Sequence, residues 1–296
     1  MSIRVIPLTD PDVKPFSRRI AWLAAEADGT PVGSAFLRLN SRKAYAHLGE
    51  AELTVHPAER GRGIGTLLLG AVVNGAREHD VRTIVTDVEV DSVGDRFLQR
   101  RGFSIGLTLI YARLDLSTTT PDVPAVAGYR LVSWDGAPPD ELVQTFTAAR
   151  AGMHDAPSGT IETPADVWDV ERTRYAAQLI EQRGELLSVV AAVDGTGRIA
   201  GFTEVVVPGD GKGDGQHYGT AVLPEHRGRG LALWMKAAQI HATRCRFPDL
   251  AGLRTDTVDT NTAMRRTNDR LGYRPQYRTH RRKLDLQQPG QPVQHQ

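Results

Sequence analysis

One cysteine in 296 residues, Cys245, leaves nothing from which to build a disulfide or a thiolate metal cluster. It follows a helical run, so a small buried or half-buried apolar residue is expected there rather than a catalytic thiol. An excess of one charge is also missing, since 36 Lys and Arg stand against 35 Asp and Glu. A near-neutral chain has no global attraction for nucleic acid or an anionic membrane. No apolar run reaches the ~20 residues that cross a bilayer, and the N-terminal residues hold no apolar targeting core. These absences leave a cytoplasmic enzyme or binding protein as the expectation, with no metal site. The length exceeds one ordinary domain and suits two.

What is present is one stretch, twice. The first copy runs Val55-His56-Pro57-Ala58-Glu59-Arg60-Gly61-Arg62-Gly63-Ile64-Gly65, and the second Val222-Leu223-Pro224-Glu225-His226-Arg227-Gly228-Arg229-Gly230-Leu231-Ala232. Each follows an apolar run and opens a helix. A strand, a Pro stop, an Arg/Gly loop and a helix make a site for an anionic phosphate group. Glycines let the ligand come close to the backbone, and the free N–H groups at the helix start favour negative charge. Arg60 and Arg227 lie 167 positions apart, and Gly102-Phe103 and Gly272-Tyr273 lie 170 apart. Two landmarks at nearly one offset indicate a tandem repeat of a whole domain.

Periodicity and punctuation place a first strand at residues 3–8, a hairpin at 20–39 and an extended run at 46–55. After the first loop come a helix, a strand at 83–88, a helix at 91–100 and final strands to 116. Residues 117–127 are a small, polar, Pro-punctuated linker. The second domain, 128–286, repeats the order but inserts two helices, 139–151 and 164–182, the latter with Thr163 and Pro164 as cap and first residue. The Gln/Pro/Gly-rich tail, 287–296, is expected to be disordered. Each half reads β, (α, α), β, β, β, loop, α, β, α, β, β. This is an α/β class with a mixed sheet and helices on its faces.

That order, with Arg-x-x-Gly-x-Gly/Ala after a Val-x-Pro strand end and a late Gly-aromatic, resembles the GNAT superfamily of acyl-CoA N-acyltransferases over nearly the whole chain. The resemblance implies two tandem GNAT domains and acetyl-CoA as co-substrate. It places acetyl-CoA between two splayed strands, with its pyrophosphate on the loop. In the second domain the implied contacts are Val222, Leu223, Arg227, Gly228, Arg229, Gly230, Leu231 and Ala232, with Asn261 near the pantetheine. In the first they are Val55, Arg60, Gly61, Arg62, Gly63, Ile64 and Gly65; the other reading of these is an inherited fold feature without ligand.

The halves are not equivalent. Only the second has the helical region that builds much of the acceptor pocket in the family, and only it has Asn261, where the first has Asp91. Acceptor binding and chemistry are therefore assigned to the C-terminal domain, and the N-terminal one is a degenerate partner. Acyl transfer needs a base for the amine, a donor to the thioester oxygen and a proton or donor for the thiolate. The family's oxygen donor is a backbone N–H of the splayed strand, here around Val222. Glu204, in the mostly apolar run 201–207, is the expected base. Either it points into the cleft with a raised pKa, or it faces outward on an alternating strand. His217 is the next base, beside the reading of a solvent-facing histidine. The family's acid, a Tyr four residues before the Gly-aromatic, is replaced by Asn268. Asn268 can donate to sulfur but has no proton to give, so Tyr218 or water takes the role.

His154 and Asp155, between the extra helices, are the expected acceptor contacts, beside the reading of a plain surface turn. The expected reaction moves an acetyl group from acetyl-CoA to a primary amine of a small molecule. The alternatives are a catalytically silent acyl-CoA sensor and a protein N-acetyltransferase. Nucleic acid and membrane are not expected as partners. The tandem supplies a pseudo-dimer of domains in a monomer, with a homodimer as the other arrangement.

Overall fold

The computed structural model describes residues 3–9, 17–118, 121–153, 157, 159–162 and 167–286. The first half supplies β1 (Arg4–Leu8), β2 (Ser17–Ala25), β3 (Pro31–Asn40), β4 (Leu48–Val55), α1 (Ile64–Glu78), β5 (Thr83–Glu89), α2 (Val93–Arg100) and β6 (Ser104–Asp115). The second supplies β7 (Tyr129–Asp135), α3 (Asp140–Ala149), α4 (Val170–Gln182), β8 (Glu185–Asp194), β9 (Ile199–Pro208), β10 (Gly213–Val222), α5 (Leu231–Arg246), β11 (Leu250–Val258), α6 (Thr262–Arg270) and β12 (Arg274–Asp285). Short 3-10 turns, Pro57–Glu59 and Pro224–His226, stand between strand and helix in the two copies. The mixed α/β class and the repeated order are those expected.

The compact units are not the two halves of the sequence. Unit 1 takes its described residues from 1–108, 159–164 and 279–296, and unit 2 from 109–158 and 165–278. The boundaries expected at 116 and 128 therefore do not coincide with the units. The cause is strand length. Each half was expected to end in two short strands, and each ends in one strand of twelve residues. The far part of each enters the other unit: residues 109–115 of β6 pair antiparallel with β11, and residues 279–285 of β12 pair antiparallel with β5.

Unit 1 has the strand order β1-β2-β3-β4-β5 and then the end of β12, antiparallel except for β4 beside β5. Helix α1 covers one face through Leu68, Leu69 and Val72, packed on Trp22, Leu37 and Ile84. The exchanged strand adds more than backbone pairing. Arg282 is buried and donates to Asp95 Oδ1 at 2.6 Å and to the Phe103 carbonyl at 3.0 Å, and Arg281 donates to Asp87.

Unit 2 has the order β7-β8-β9-β10-β11 and then the end of β6, with β10 and β11 parallel. Its sheet is covered on both faces. Phe146, Ala177 and Ile180 of α3 and α4 meet Leu187, Phe202 and Val206, while Leu233, Ala237 and Ile240 of α5 meet Val205, Leu253 and Tyr273. β9 is consequently buried along nearly its whole length. That explains the near-continuous apolar run around Glu204, because a strand covered on both sides has no polar face to show.

Two local expectations change. Helix α4 begins at Val170 rather than Pro164, because Asp169 caps it by accepting from the Arg172 N–H at 2.7 Å. Residues 167–169 are not helical, and 163–166 lie outside the described residues. Cys245 is exposed rather than buried, its Sγ 3.7 Å from His241 Nε2. The tail 287–296 also lies outside the described residues. Among the described residues no helix is long and apolar enough to cross a membrane.

Candidate active site

Both copies of the motif build the same local geometry. Parallel pairing of β10 with β11 stops at Gln216–Arg254, and that of β4 with β5 stops at Glu50–Val85. Beyond those points the strands part and a cleft opens. The N–H of Leu223 donates to the Ala200 carbonyl at 2.9 Å. Antiparallel alternation then turns the N–H of Val222 away from β9, toward the side that β11 has left. Val55 is turned the same way, since the His56 N–H donates to the Val32 carbonyl at 2.9 Å. Arg227 folds back so that its Nε donates to the Val222 carbonyl at 2.9 Å, and Arg60 does so to Val55 at 3.3 Å.

The loop glycines are required by conformation and by space. Gly61, Gly63, Gly228 and Gly230 all have φ between +75° and +84°, and a Cβ built at any of them meets no atom within 4 Å. Gly63 and Gly230 are the left-handed N-caps of α1 and α5, with no side chain covering the first N–H groups. Uncapped donors, open space and the helix dipole together fit a phosphate group of acetyl-CoA, which is the anion such a terminus binds.

The clefts differ in charge. The unit 2 cavity, about 590 Å³, is lined among others by Thr220, Val222, Arg227, Gly228, Gly230, Leu231, Ala232, Asn261, Met264, Arg266 and Arg270, with three arginines and no carboxylate among the described residues. The unit 1 cavity, about 660 Å³, is lined by Val55, Arg60, Gly61, Gly63, Ile64, Gly65, Phe97 and Arg101, and by two carboxylates, Glu59 and Glu89. Arg62, at the surface, is held by Glu26 at 2.9 Å and by Glu59, so its charge is taken up by carboxylates of the protein. Arg229 has its described contact with the backbone carbonyl of Glu225.

Asn261 caps α6 by accepting from the Met264 N–H at 3.1 Å and lines the unit 2 cavity. In unit 1 the capping role falls to Ser92, one residue after Asp91. Leu223 ends β10 by pairing back to β9 and is not among the cavity-lining residues.

The expected catalytic side chains are arranged differently from expectation. Glu204 is 3% exposed and forms a buried ion pair with Arg150, at the end of α3. The Arg150 guanidinium lies among the rings of Trp168, Phe146 and Phe202, at 4.2, 4.9 and 5.5 Å. Burial pushes the Glu204 carboxyl up, against the opposing pull of Arg150. Glu204 thus has the raised pKa but does not line the cavity, and it has no outward face. Its carboxylate is pressed on β10, where a Cβ at Gly219 would meet Oε2 at 2.9 Å. Tyr218 is 57% exposed, beside Arg183, and not in the cavity. Asn268 is buried, donating from Nδ2 to Thr257 Oγ1 at 3.1 Å, and is also not a lining residue. His154 and Asp155 lie outside the described residues; their neighbours Gly152, Met153 and Pro157 line the cavity.

His217 is 2% exposed, not solvent-facing. The reason is a bulge in β10. Register with β9 shifts between His217 and Thr220, so Tyr218 and Gly219 together oppose Glu204. In a regular strand, residues three apart face opposite sides, whereas the extra residue brings His217 to the face of Thr220. There it enters a buried chain that sequence reasoning missed: Tyr273 OH, His217 Nδ1, His217 Nε2, Thr203 Oγ1 and Thr220 Oγ1, each link 2.7 Å. Lys236 Nζ sits 5.2 Å from the centre of the Tyr273 ring, and burial lowers its pKa to about 7. A Lys on the inward, mostly apolar face of a helix and a His two residues before Gly219 were the available signals.

A doubled strand–glycine loop–helix fold, with an anion-binding cleft between parting parallel strands, defines an acyl-CoA-dependent acyltransferase. The chain belongs to the acetyltransferase (GNAT) family, whose model matches residues 6–103 and 156–273, and such enzymes use acetyl-CoA as donor. It is 30% identical over 264 residues to a mycothiol acetyltransferase of Nocardia farcinica, covering 86% of this chain and 79% of that one. It resembles in fold a tandem GNAT protein from the clavulanic acid biosynthesis pathway, with TM-score 0.73, 24% identity, and 96% and 98% of the two chains covered. A GCN5-related N-acetyltransferase from Sphaerobacter thermophilus matches with TM-score 0.69, 20% identity, and 92% and 82% covered.

Proposed function

We propose that this acetyltransferase moves the acetyl group of acetyl-CoA to a primary amine of a small molecule, and that the chemistry is done in unit 2. The observation that carries this is the difference in charge between the clefts. Among the described residues, three arginines without a lining carboxylate suit a polyanionic co-substrate, whereas two arginines matched by two glutamates do not. The free N–H of Val222 supplies the donor for the thioester oxygen. The turn Arg150–Met153, tied to Glu204 through Arg150, brings Gly152 and Met153 to the cavity wall as the acceptor side. The name of the relatives suggests the first acceptor to try, mycothiol in its non-acetylated amine form. In this reading the chain acts as a cytoplasmic monomer.

Glu204 accepts the amine proton through an intervening water, because it is buried and does not line the cavity. The test is release of CoA thiol with a panel of small amines and with peptides bearing a free N-terminus. Turnover with an amine, lowered at least tenfold in Glu204→Gln while acetyl-CoA still raises the melting temperature, is the expected outcome. Thermal protection without turnover of any acceptor leaves a silent acyl-CoA sensor instead. Turnover of peptides alone makes the chain a protein N-acetyltransferase.

A further inference from the structure

Four buried polar residues on the α5 side of the unit 2 sheet, Thr203, His217, Lys236 and Tyr273, and the half-buried Thr220 have no polar counterpart in unit 1. The register shows this position by position. Thr203 pairs with Thr220, and Val205 with His217. In unit 1 the same places are Ala35 with Leu53 and Leu37 with Ala51. Gly272-Tyr273 corresponds to Gly102-Phe103, and Lys236 lies at the helix position of Leu69. Unit 1 folds with these sites apolar and its β3–β4 register unbroken. The polar chain and the bulge that admits His217 to it are therefore not demanded by the fold.

The chain has a direction. Tyr273 is fully buried, and burial keeps its hydroxyl protonated. The described hydrogen-bond partner of that hydroxyl is His217 Nδ1. Lys236 lies over the ring rather than at the hydroxyl. A phenol proton with no acceptor is costly in the interior, so Tyr273 donates to Nδ1. Burial, reinforced by Lys236, holds His217 neutral. A neutral imidazole that accepts at one nitrogen donates at the other. Nε2–H then donates to Thr203, and Thr203 donates to Thr220. The hydroxyl proton of Thr220 is left pointing onward, and Thr220 lines the cavity. Thr220 and Val222 lie two apart on one strand, so they share the face that the parting of β11 exposes.

Resting on the assignment of the reaction to unit 2, we propose that Thr220 is a catalytic hydrogen-bond donor to the thioester group in the cleft, and that Thr203, His217 and Tyr273 are positioning residues that fix the direction of its proton. Unit 1 has Leu53 at this place on its cleft wall and cannot make the same contact. A chain of aligned donors also polarises its last member, which makes Thr220 a stronger donor than an isolated hydroxyl.

The ring tautomer of His217 tests the direction without any substrate. In ¹⁵N-histidine-labelled protein at neutral pH, His217 is expected as the neutral Nε2–H form. The Nδ1–H form overturns the proposal while leaving the unit 2 assignment intact. Kinetics test the donor. Thr220→Val keeps the shape and removes the hydroxyl; kcat is expected to fall at least tenfold with the calorimetric Kd for acetyl-CoA unchanged. Thr220→Ser is expected to retain most activity. Tyr273→Phe is expected to lower kcat several-fold and to mix the His217 tautomers. Wild-type kcat in Thr220→Val, or a loss of affinity as large as the loss of kcat/KM, overturns the proposal. The unit 2 assignment is tested separately by carboxylates placed in the two clefts, described below.

Discussion

Lys236 shows how far a buried polar group in unit 2 departs from its apolar twin. Burial favours the neutral amine, and the opposing Asp256 does not restore the ordinary value, so the pKa falls from 10.5 to about 7. The sign follows directly. Between pH 7 and 10 the unfolded chain holds a proton that the folded chain has released, so stability rises with pH across that window. Below pH 7 the lysine is charged in both states, and the fold carries the full cost of burying that charge. The span corresponds to about 4 kcal/mol. Lys236→Leu, which installs the residue type of unit 1, is expected to raise the melting temperature at pH 7 and to flatten its rise toward pH 10. Calorimetric melts at several pH values check this; an unchanged slope in the variant contradicts it. Glu204 marks what a single position can and cannot disclose. A carboxylate in an apolar run announced burial and a raised pKa. Its partner Arg150 lies 54 residues earlier, at a helix end that carried no sign of pairing. The solvent-facing reading of His217 fails because nothing in the letters marks the bulge that brings it to the buried face of Thr220.

Elements were legible where a local rule decides them. Glycines, a Pro stop and a helix start announced both anion loops, and the structure adds that the four glycines have positive φ. What local rules do not carry is the choice of strand partner. β6 and β12 each read as two short pieces, yet each continues unbroken for twelve residues and ends in the other unit. The consequence is energetic. The β12 end supplies Arg282 to Asp95, and burial would hold the Asp95 carboxyl high if the Arg282 hydrogen bond did not bring it low. Removing one partner of a buried pair costs about 3–5 kcal/mol, on top of the lost pairing with β5. Residues 1–116 expressed alone are therefore expected to show no cooperative thermal transition, whereas 1–286 melts cooperatively. A cooperative, native-like melt of the short fragment contradicts the exchange of strands. The late start of α4 has a similar origin: Thr163-Pro164 is a good start signal, but Asp169 is also a capping residue, and it is the one used.

At the scale of the molecule, one fold is present twice with two different interiors. Both units carry the parting strands, the folded-back arginine and the open glycines. Among the described residues, one cleft is lined by arginines without carboxylates and has a hydroxyl backed by a buried polar chain; the other is charge-balanced and walled by Leu53 and Phe97. The central claim is that acetyl transfer belongs to the first of these. Its most direct test places one carboxylate in each cleft at an equivalent site. Val93 opens α2 and lines the unit 1 cavity, and Ala263, in the first turn of α6, lines the unit 2 cavity. Both are exposed, and a glutamate in the first turn of a helix suits its dipole, so neither change should disturb folding. The measurement is kcat/KM for acetyl-CoA by thiol release in Ala263→Glu and Val93→Glu. The expected result is a fall of at least tenfold in Ala263→Glu and no change in Val93→Glu; an equal loss in both, or a loss in Val93→Glu alone, contradicts the account.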